Sequence, residues 1–249
     1  MGNADATVAV VTGAAHGIGK GIARRLARDG YFVAVADIDA DAAEVTVKDI
    51  VADGGAGAAY VVDVTDYQGI QDFRERLTRE HGAPQVLVNN AGWEQVRRFE
   101  ETDPQLWERL VRINYLGMVG VTHALLGPLQ ASPRGRVVNI ASDAGRVGSS
   151  GETVYAGTKG GIIAFTKSLA REVARHGVTV NCVCPGPTDT RAFADVPQRL
   201  QEALTRAIPL RRIASPADIA NAVAFFATEE SGYITGQVLS VNGGLTMVG

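Results

Sequence analysis

The chain is poor in sulfur and in histidine. Of its 249 residues two are cysteine, three methionine and four histidine. Cys182 and Cys184 stand two apart in "VTVNCVCPG", a spacing that on a strand turns both thiols to one face and leaves them too close to bridge easily. Metal or redox chemistry is the sharper reading of this pair; reduced thiols beside a core are the plainer and favoured one. His16, His81, His123 and His176 form no HExxH-like pair, so no metal site is evident. Excess positive charge is missing as well. A net charge of -3 gives no electrostatic reason to expect nucleic acid or an acidic membrane surface as partner. No segment approaches the ~20 apolar residues needed to cross a bilayer. The start, "MGNADATVAV", has neither the basic residues nor the apolar stretch of a secretory signal. "MG" suits myristoylation, but Ala6 stands where Ser or Thr is required. A soluble, cytoplasmic protein is expected.

What is present is a rhythm. Apolar residues make up 46% of the chain and charged ones 20%, enough to bury a large core. Apolar, β-branched runs at 7–11, 32–36, 59–64, 85–89, 136–141, 178–183 and 237–241 read as strands. Helical patterns lie between them, near 17–29, 41–53, 66–81, 103–130, 153–175, 197–207 and 216–228. Asp103 before Pro104 and Ser215 before Pro216 each set a capping residue ahead of a proline at the first helical position. Near-continuous apolar strands separated by helices predict an α/β fold: one domain over 1–249, a doubly wound parallel β-sheet with helices on both faces. Ligands of such a sheet sit beyond the C-terminal ends of its strands.

The first strand runs straight into "VTGAAHGIGK", with glycines at 13, 17 and 19, and then into a helix. Glycine lets the backbone turn tightly and approach a pyrophosphate, and the helix N-terminus offers free N–H groups. The spacing is G-x-x-x-G-x-G rather than G-x-G-x-x-G, but its place between strand and helix favours dinucleotide binding over a plain turn. The second strand ends in Asp37. A carboxylate there accepts hydrogen bonds from the adenosine ribose hydroxyls and repels a 2′-phosphate. No Arg or Lys occupies 14–16 or 38, so NAD rather than NADP is the expected cofactor. The competing reading is that Asp37 merely opens the turn in "DIDAD".

"TGAAHGIG" (12–19), "DVTD" (63–66), "NNAG" (89–92), Asn114 in "RINYLG", Ser142 in "NIASDAG", Tyr155 with Lys159, and "PGPTDT" (185–190) run through nearly the whole chain. Together they resemble the short-chain dehydrogenase/reductase family, in its short single-domain branch with the Rossmann fold. The resemblance implies an NAD-dependent oxidoreductase interconverting a secondary alcohol and a ketone. It implies that Gly13, His16, Gly17, Ile18, Gly19 and Asp37 bind the cofactor, that Asp63 and Val64 border the adenine, and that Asn90 and Gly92 lie near the cofactor ribose. It places Pro185, Gly186, Thr188 and Thr190 at the nicotinamide carboxamide. Asn114, Ser142, Tyr155 and Lys159 match the family's catalytic tetrad. Plainer readings exist for each: Asn90 as a strand stop, Asn114 as a polar break in a helix, Ser142 as a turn cap, 185–190 as a loop.

"VYAGTKGG" puts Tyr155 and Lys159 four apart, on one helix face. Removing an alcohol proton near neutrality asks a phenol of pKa about 10 to shift by ~3 units, or ~4 kcal/mol. One ammonium at ~4 Å supplies ~1 kcal/mol in water and ~4 kcal/mol at an intermediate effective dielectric. Desolvation of the phenol opposes the shift. Lys159 is therefore expected to make Tyr155 the acid/base. The resemblance adds Ser142 on the substrate oxygen and Asn114 as anchor of a proton-relaying water.

Residues 188–216 depart from the alternating plan and read as a lid carrying a short helix. Trp93 lines the pocket or merely packs. "NNAGW", "ASDAGRVGSSGE" and "ITGQVLSVNGGLTM" narrow the resemblance to family members that oxidise a cyclic 2-hydroxyacyl-CoA. Arg146, with Arg97, Arg98, Arg191, Arg206, Arg211 and Arg212, would then supply contacts to a CoA thioester. The alternatives are a 3-oxoacyl-thioester reductase of the acyl-carrier-protein or CoA type, another secondary-alcohol dehydrogenase, or a nucleotide-sensing protein without catalysis. The family usually forms homotetramers, and the apolar residues of the 153–175 helix suit that assembly; burial within one chain is the competing explanation.

Overall fold

The computed structural model describes residues 7–194 and 196–248. Seven strands, β1 (Val8–Thr12), β2 (Phe32–Asp37), β3 (Ala56–Val61), β4 (Val86–Asn89), β5 (Arg136–Ile140), β6 (Thr179–Pro185) and β7 (Val238–Val241), form one sheet in the order β3-β2-β1-β4-β5-β6-β7. Every neighbouring pair is parallel. The helices are α1 (Gly17–Arg28), α2 (Ala40–Ala52), α3 (Tyr67–His81), α4 (Pro104–Val111), α5 (Gly117–Ala131), α6 (Ala144–Val147), α7 (Thr153–Val173), α8 (Arg191–Ala194), α9 (Gln198–Ala207) and α10 (Pro216–Ala227). The strand order reverses direction between β1 and β4, which opens a crevice at their C-terminal ends.

Alternation along each strand builds two cores. Ala9 and Val11 of β1 face one side of the sheet, with Ile22 and Leu26 of α1, Ile50 of α2 and Val223 of α10. Val8 and Val10 face the other, with Phe73 of α3, Leu125 of α5 and Val173 of α7. Both faces are dry, which is why the strands read as continuous apolar runs. Burying each Leu, Ile or Val contributes ~1.5–3 kcal/mol. Much of the apolar surface of α7 is used within the chain: Ile162 and Leu169 are buried, and Phe165 packs against the core. The two capping readings hold. Asp103 accepts from the Leu106 N–H at 2.8 Å, and Ser215 with Asp218 forms a reciprocal box at the start of α10.

Three expectations change. β3 begins at Ala56, three residues before the apolar run, and ends at Val61. Register with β2 recruits the small Ala56–Ala59 stretch, whose lack of bulk hid it, and Val62 makes one last bond to the Asp37 carbonyl. The 103–130 helix is not uniform: a π-helical turn, Arg112–Leu116, separates α4 from α5 and carries Asn114 at its centre. Among the described residues, Pro104–Ala131 is long and apolar enough, by length and composition, to cross a membrane, contrary to the first reading. Its Leu110, Met118, Val121 and Leu125 instead lie buried within the fold.

Candidate active site

The glycine-rich turn leaves β1 as a cradle that side chains would fill. Gly13 and Gly17 hold φ of 63° and 49°, a region that disfavours a Cβ. A methyl on Gly19 would fall 2.0 Å from the Gly13 carbonyl oxygen. Asn90, just past β4, donates through Nδ2 to the carbonyls of Thr12 (3.0 Å) and Gly13 (2.9 Å), clamping the turn. Ile18 packs on the core beneath. His16 gives no side-chain cap to α1, so the first-turn N–H groups remain available to an anion. Its ring pairs instead with Asp39 at 3.0 Å, a contact that holds the Asp39 carboxyl below its usual range. Asp37 ends β2 with one oxygen accepting from Ala15 N–H (2.8 Å) and the other from Asp39 N–H (3.0 Å), so its carboxylate is fixed against the turn.

The other residues expected at a cofactor converge on the same edge. Asp63, exposed past the end of β3, accepts from the Thr65 N–H and hydroxyl, both at 2.8 Å. Val64 packs so closely on Gly117 that a methyl there would come within 2.8 Å of it. Beyond β6, Pro185 and Gly186 lead to Thr188, whose hydroxyl donates to the Gly186 carbonyl at 2.9 Å. Thr190 closes on the glycine turn: its Cγ2 lies 3.2 Å from where a Gly17 Cβ would stand. Behind it the 188–216 segment holds two short helices, α8 and α9, where one was expected. A cleft of about 500 Å³ opens among Asp189, Phe193, Gln201 and Ile213.

Tyr155 and Lys159 lie one turn apart on α7, with Lys159 Nζ 5.5 Å from the centre of the phenol ring. Lys159 is 4% exposed and donates to the Ile140 carbonyl at the end of β5, at 3.0 Å. Burial pulls its ammonium down to about 8; the thiols of Cys182 and Cys184 and the Glu94 carboxylate oppose that fall. Ser142 follows β5, its hydroxyl accepting from Ala144 N–H at 3.2 Å. Gly92 is the meeting point: a methyl there would lie 2.8 Å from Asn114 Oδ1 and 3.5 Å from Lys159 Nζ. Asn114 is fully buried. It accepts from Trp93 N–H (3.0 Å) and donates to the carbonyls of Trp93 (2.7 Å) and Leu110 (3.0 Å).

The expected acidification of Tyr155 is reversed. Burial pushes the phenol well above its ordinary value, and the carboxylates of Glu94 and Glu152 push it the same way. The Ser142 hydroxyl pulls against them. Spacing brought Lys159 close, but its charge is turned to Ile140 rather than to the phenolic oxygen. Glu94 and Glu152 were not singled out in the sequence. Burial, and then the neighbouring charge of Glu152, raise the Glu94 carboxyl. Nothing local marks them, because residues 94 and 152 meet only when the loops before α4 and α7 are pinned by the Arg97 N–H to Gly151 carbonyl bond (2.8 Å).

Two of the residues expected at the substrate make contacts within the chain. Arg146 donates to Ser240 Oγ (2.9 Å) and the Val248 carbonyl (3.0 Å). Trp93 stacks under the Arg109 guanidinium, 4.0 Å away. Of the rim arginines, Arg212 is taken by Asp218 at 2.7 Å, and Arg206 and Arg98 lie 3.8 Å from Glu202 and Glu100. A narrow cavity beside Tyr155 is walled by Phe99, Leu106 and Leu110, with Glu152 at its edge. Cys182 and Cys184 are buried free thiols, as the plainer reading held. The nearby Cys182 sulfur and burial push the Cys184 thiol up.

A family model described as enoyl-(acyl carrier protein) reductase matches residues 13–246. The chain is 39% identical to the dog (3R)-3-hydroxyacyl-CoA dehydrogenase, covering 96% of each chain. It is 37% identical to the Vibrio cholerae 3-oxoacyl-[acyl-carrier-protein] reductase FabG, over 99% of this chain and 100% of that one. It is also 37% identical to the Thauera aromatica (2S)-[(R)-hydroxy(phenyl)methyl]succinyl-CoA dehydrogenase subunit BbsD, over 96% of each. With the parallel sheet and the glycine cradle, these matches place the chain in the short-chain dehydrogenase/reductase family, as an oxidoreductase. None of these three relatives is named for a cyclohexane ring. Their names favour the hydroxyacyl and oxoacyl thioester alternative over the narrower cyclic reading.

Proposed function

We propose that the chain interconverts a 3-hydroxyacyl thioester and its 3-oxo form, on CoA, with NAD as cofactor. The observation that carries this is the convergence of Ser142, Tyr155 and Lys159 beside a glycine cradle that no side chain could share. The thioester class follows from the relatives' names. Asp37, held by Ala15 and Asp39, supports NAD, since its charge opposes a 2′-phosphate.

The fit of the site to a dinucleotide is geometric: Gly13, Gly17 and Gly19 leave room for it, Asn90 fixes the turn, and Thr188 and Thr190 close the far side. When bound, the cofactor supplies the hydride exchange with the carbinol carbon. Ser142 holds the substrate oxygen. Tyr155 moves its proton, as acid toward the ketone and as base toward the alcohol. At neutral pH the raised phenol carries its proton, so the acid form is the one present, and the proton is held more firmly than in a free tyrosine. Lys159, charged below about 8, offsets the negative charge that forms when Tyr155 gives up its proton. Asn114 holds the Trp93 backbone and so shapes the wall beside Lys159. A homotetramer is the assembly proposed, to be read by light scattering.

Absorbance assays with NAD(H) and NADP(H) test this on four substrates: a short 3-hydroxyacyl-CoA, 2-hydroxycyclohexanecarboxyl-CoA, cyclohexanol and, in the reducing direction, a 3-oxoacyl thioester of acyl-carrier protein. NAD reduction on either CoA thioester but not on cyclohexanol supports the proposal. Equal turnover of free alcohols removes the thioester. Turnover confined to NADPH and acyl-carrier-protein substrates assigns the carrier-protein reductase instead. Cofactor binding with no turnover on any substrate leaves a sensor.

A further inference from the structure

The C-terminal tail meets three separate parts of the site. Asn242 packs on Gly186, where a methyl would fall 2.7 Å from its Cβ, and the Gly186 N–H donates to the Val241 carbonyl at 3.1 Å. The Gly243 carbonyl accepts from Leu210 N–H at 3.1 Å, at the trailing end of the 188–216 segment. The third contact is Asp143, the residue after Ser142. It is buried, and its two carboxylate oxygens accept from the Ser240 hydroxyl and the Asn242 amide. Arg146 donates to the same Ser240 Oγ and to the Val248 carbonyl.

Between these contacts stands α6, a single turn of four residues with none buried. A turn that short has no stability of its own. One side is set by close approach to α7: a methyl on Gly145 would lie 2.6 Å from the Lys159 carbonyl carbon. The other side is set by the side chains of Asp143 and Arg146, beside one backbone bond from the Asp143 N–H to the Pro185 carbonyl (3.2 Å). The Ser142 hydroxyl accepts from Ala144 N–H, inside this turn, so a shift of α6 carries the hydroxyl with it. A buried carboxylate that loses its donors is strongly destabilised, which makes the arrangement specific.

We infer that Asp143 and Arg146 are positioning residues that, through Ser240, Asn242 and the tail, hold Ser142 against Tyr155 and tie the trailing end of the 188–216 segment to the same unit. This rests on the roles given above to Ser142 and Tyr155. The Arg146 assigned to CoA in the sequence thus serves the site from behind.

The test combines Asp143→Ala, Asp143→Asn, Arg146→Lys and Ser142→Ala, with Asp143→Ala/Ser142→Ala as the double variant. A displacement of the reacting groups by about 1 Å costs up to ~100-fold. Asp143→Ala should lower kcat about tenfold or more with little change in the KM for cofactor. The double variant should be no slower than Ser142→Ala alone. Additive losses would overturn the inference. Hydrogen exchange by mass spectrometry reads the same coupling without activity. In Asp143→Ala, and more weakly in Asp143→Asn, exchange should rise in 141–148 and 207–211 together while α1 is unchanged. A rise confined to one segment, or spread over the whole chain, would also overturn it. Arg146→Lys, which keeps the charge but loses one of the two bonds, should fall between wild type and Asp143→Ala by both measures. An inactive parent with the coupled exchange pattern would sink the proposed reaction and leave the tail's role standing.

Discussion

Lys159 Nζ lies 5.5 Å from the ring centre of Tyr155, yet its hydrogen bond runs to the Ile140 carbonyl. The pair is adjacent without being a direct acid–base contact, and the phenol is held protonated by burial and by Glu94 and Glu152. Tyr155 thereby starts with its proton in place at neutral pH, as ketone reduction requires, and alcohol oxidation must first remove it. Two measurements check this. Tyr155→Phe should lower kcat by roughly a thousandfold while dinucleotide binding, read by fluorescence, is kept. In the wild type, ketone reduction should stay flat through the neutral range, while alcohol oxidation climbs with pH because the phenolate is scarce. An oxidation rate that is flat with pH would contradict the raised phenol.

Lys159 carries a cost that the fold bears for the site. Burial lowers it from an ordinary 10.5 to about 8. The difference corresponds to ~3 kcal/mol. Below about 8 it is charged in both folded and unfolded chains, and the folded state carries the whole penalty. Between about 8 and 10.5 the unfolded chain binds more protons, so stability rises with pH. Lys159→Met should therefore raise the melting temperature at pH 7 and abolish activity, and the gain should fade as pH approaches 10.5. A variant less stable than wild type at pH 7 would show that the Ile140 bond outweighs desolvation.

The sheet was legible in the sequence because both faces are buried: β1, β2, β4, β5 and β6 are mostly apolar and buried over nearly all their length, and each was found within two residues of its ends. β3 was misplaced because its first four residues are Ala, Gly, Ala, Ala, and only pairing with β2 makes them a strand. In the site, Tyr155 and Lys159 were legible because four residues make one helical turn. The sign of the phenol shift was not, since spacing fixes proximity but neither the direction of the ammonium nor the desolvation. The partners that Arg146 takes within the chain were not legible either. Ser240 and Val248 lie 94 and 102 residues away, and no local pattern points to them.

Asp37 offers a direct test of cofactor choice. Its carboxylate is fixed by two backbone donors at the end of β2. A like charge at ~5 Å costs ~3 kcal/mol at an intermediate effective dielectric. That corresponds to about a hundredfold in affinity. Asp37→Ala should raise the ratio of kcat/KM for NADP over NAD by about that factor, through loss of NAD affinity and relief of repulsion together. An unchanged ratio would remove Asp37 from the cofactor site.

Two glycines, one where α6 meets α7 and one on an open face of α7, respond in opposite directions. A methyl on Gly145 meets α7 backbone at 2.6 Å, so Gly145→Ala must push α6 off its seat. Gly157 in α7 has nothing within 4 Å, and alanine is the better helix former by ~0.5–1 kcal/mol. Gly157→Ala should therefore raise the melting temperature of the chain by about 1–4 °C with kcat unchanged. Gly145→Ala should lose ~1–3 kcal/mol of stability and, because α6 follows Ser142 directly, lose kcat more than it loses cofactor affinity. Calorimetry and steady-state kinetics on the two proteins decide it. If Gly145→Ala kept full kcat, the close approach of α6 to the Lys159 backbone would have no bearing on the chemistry.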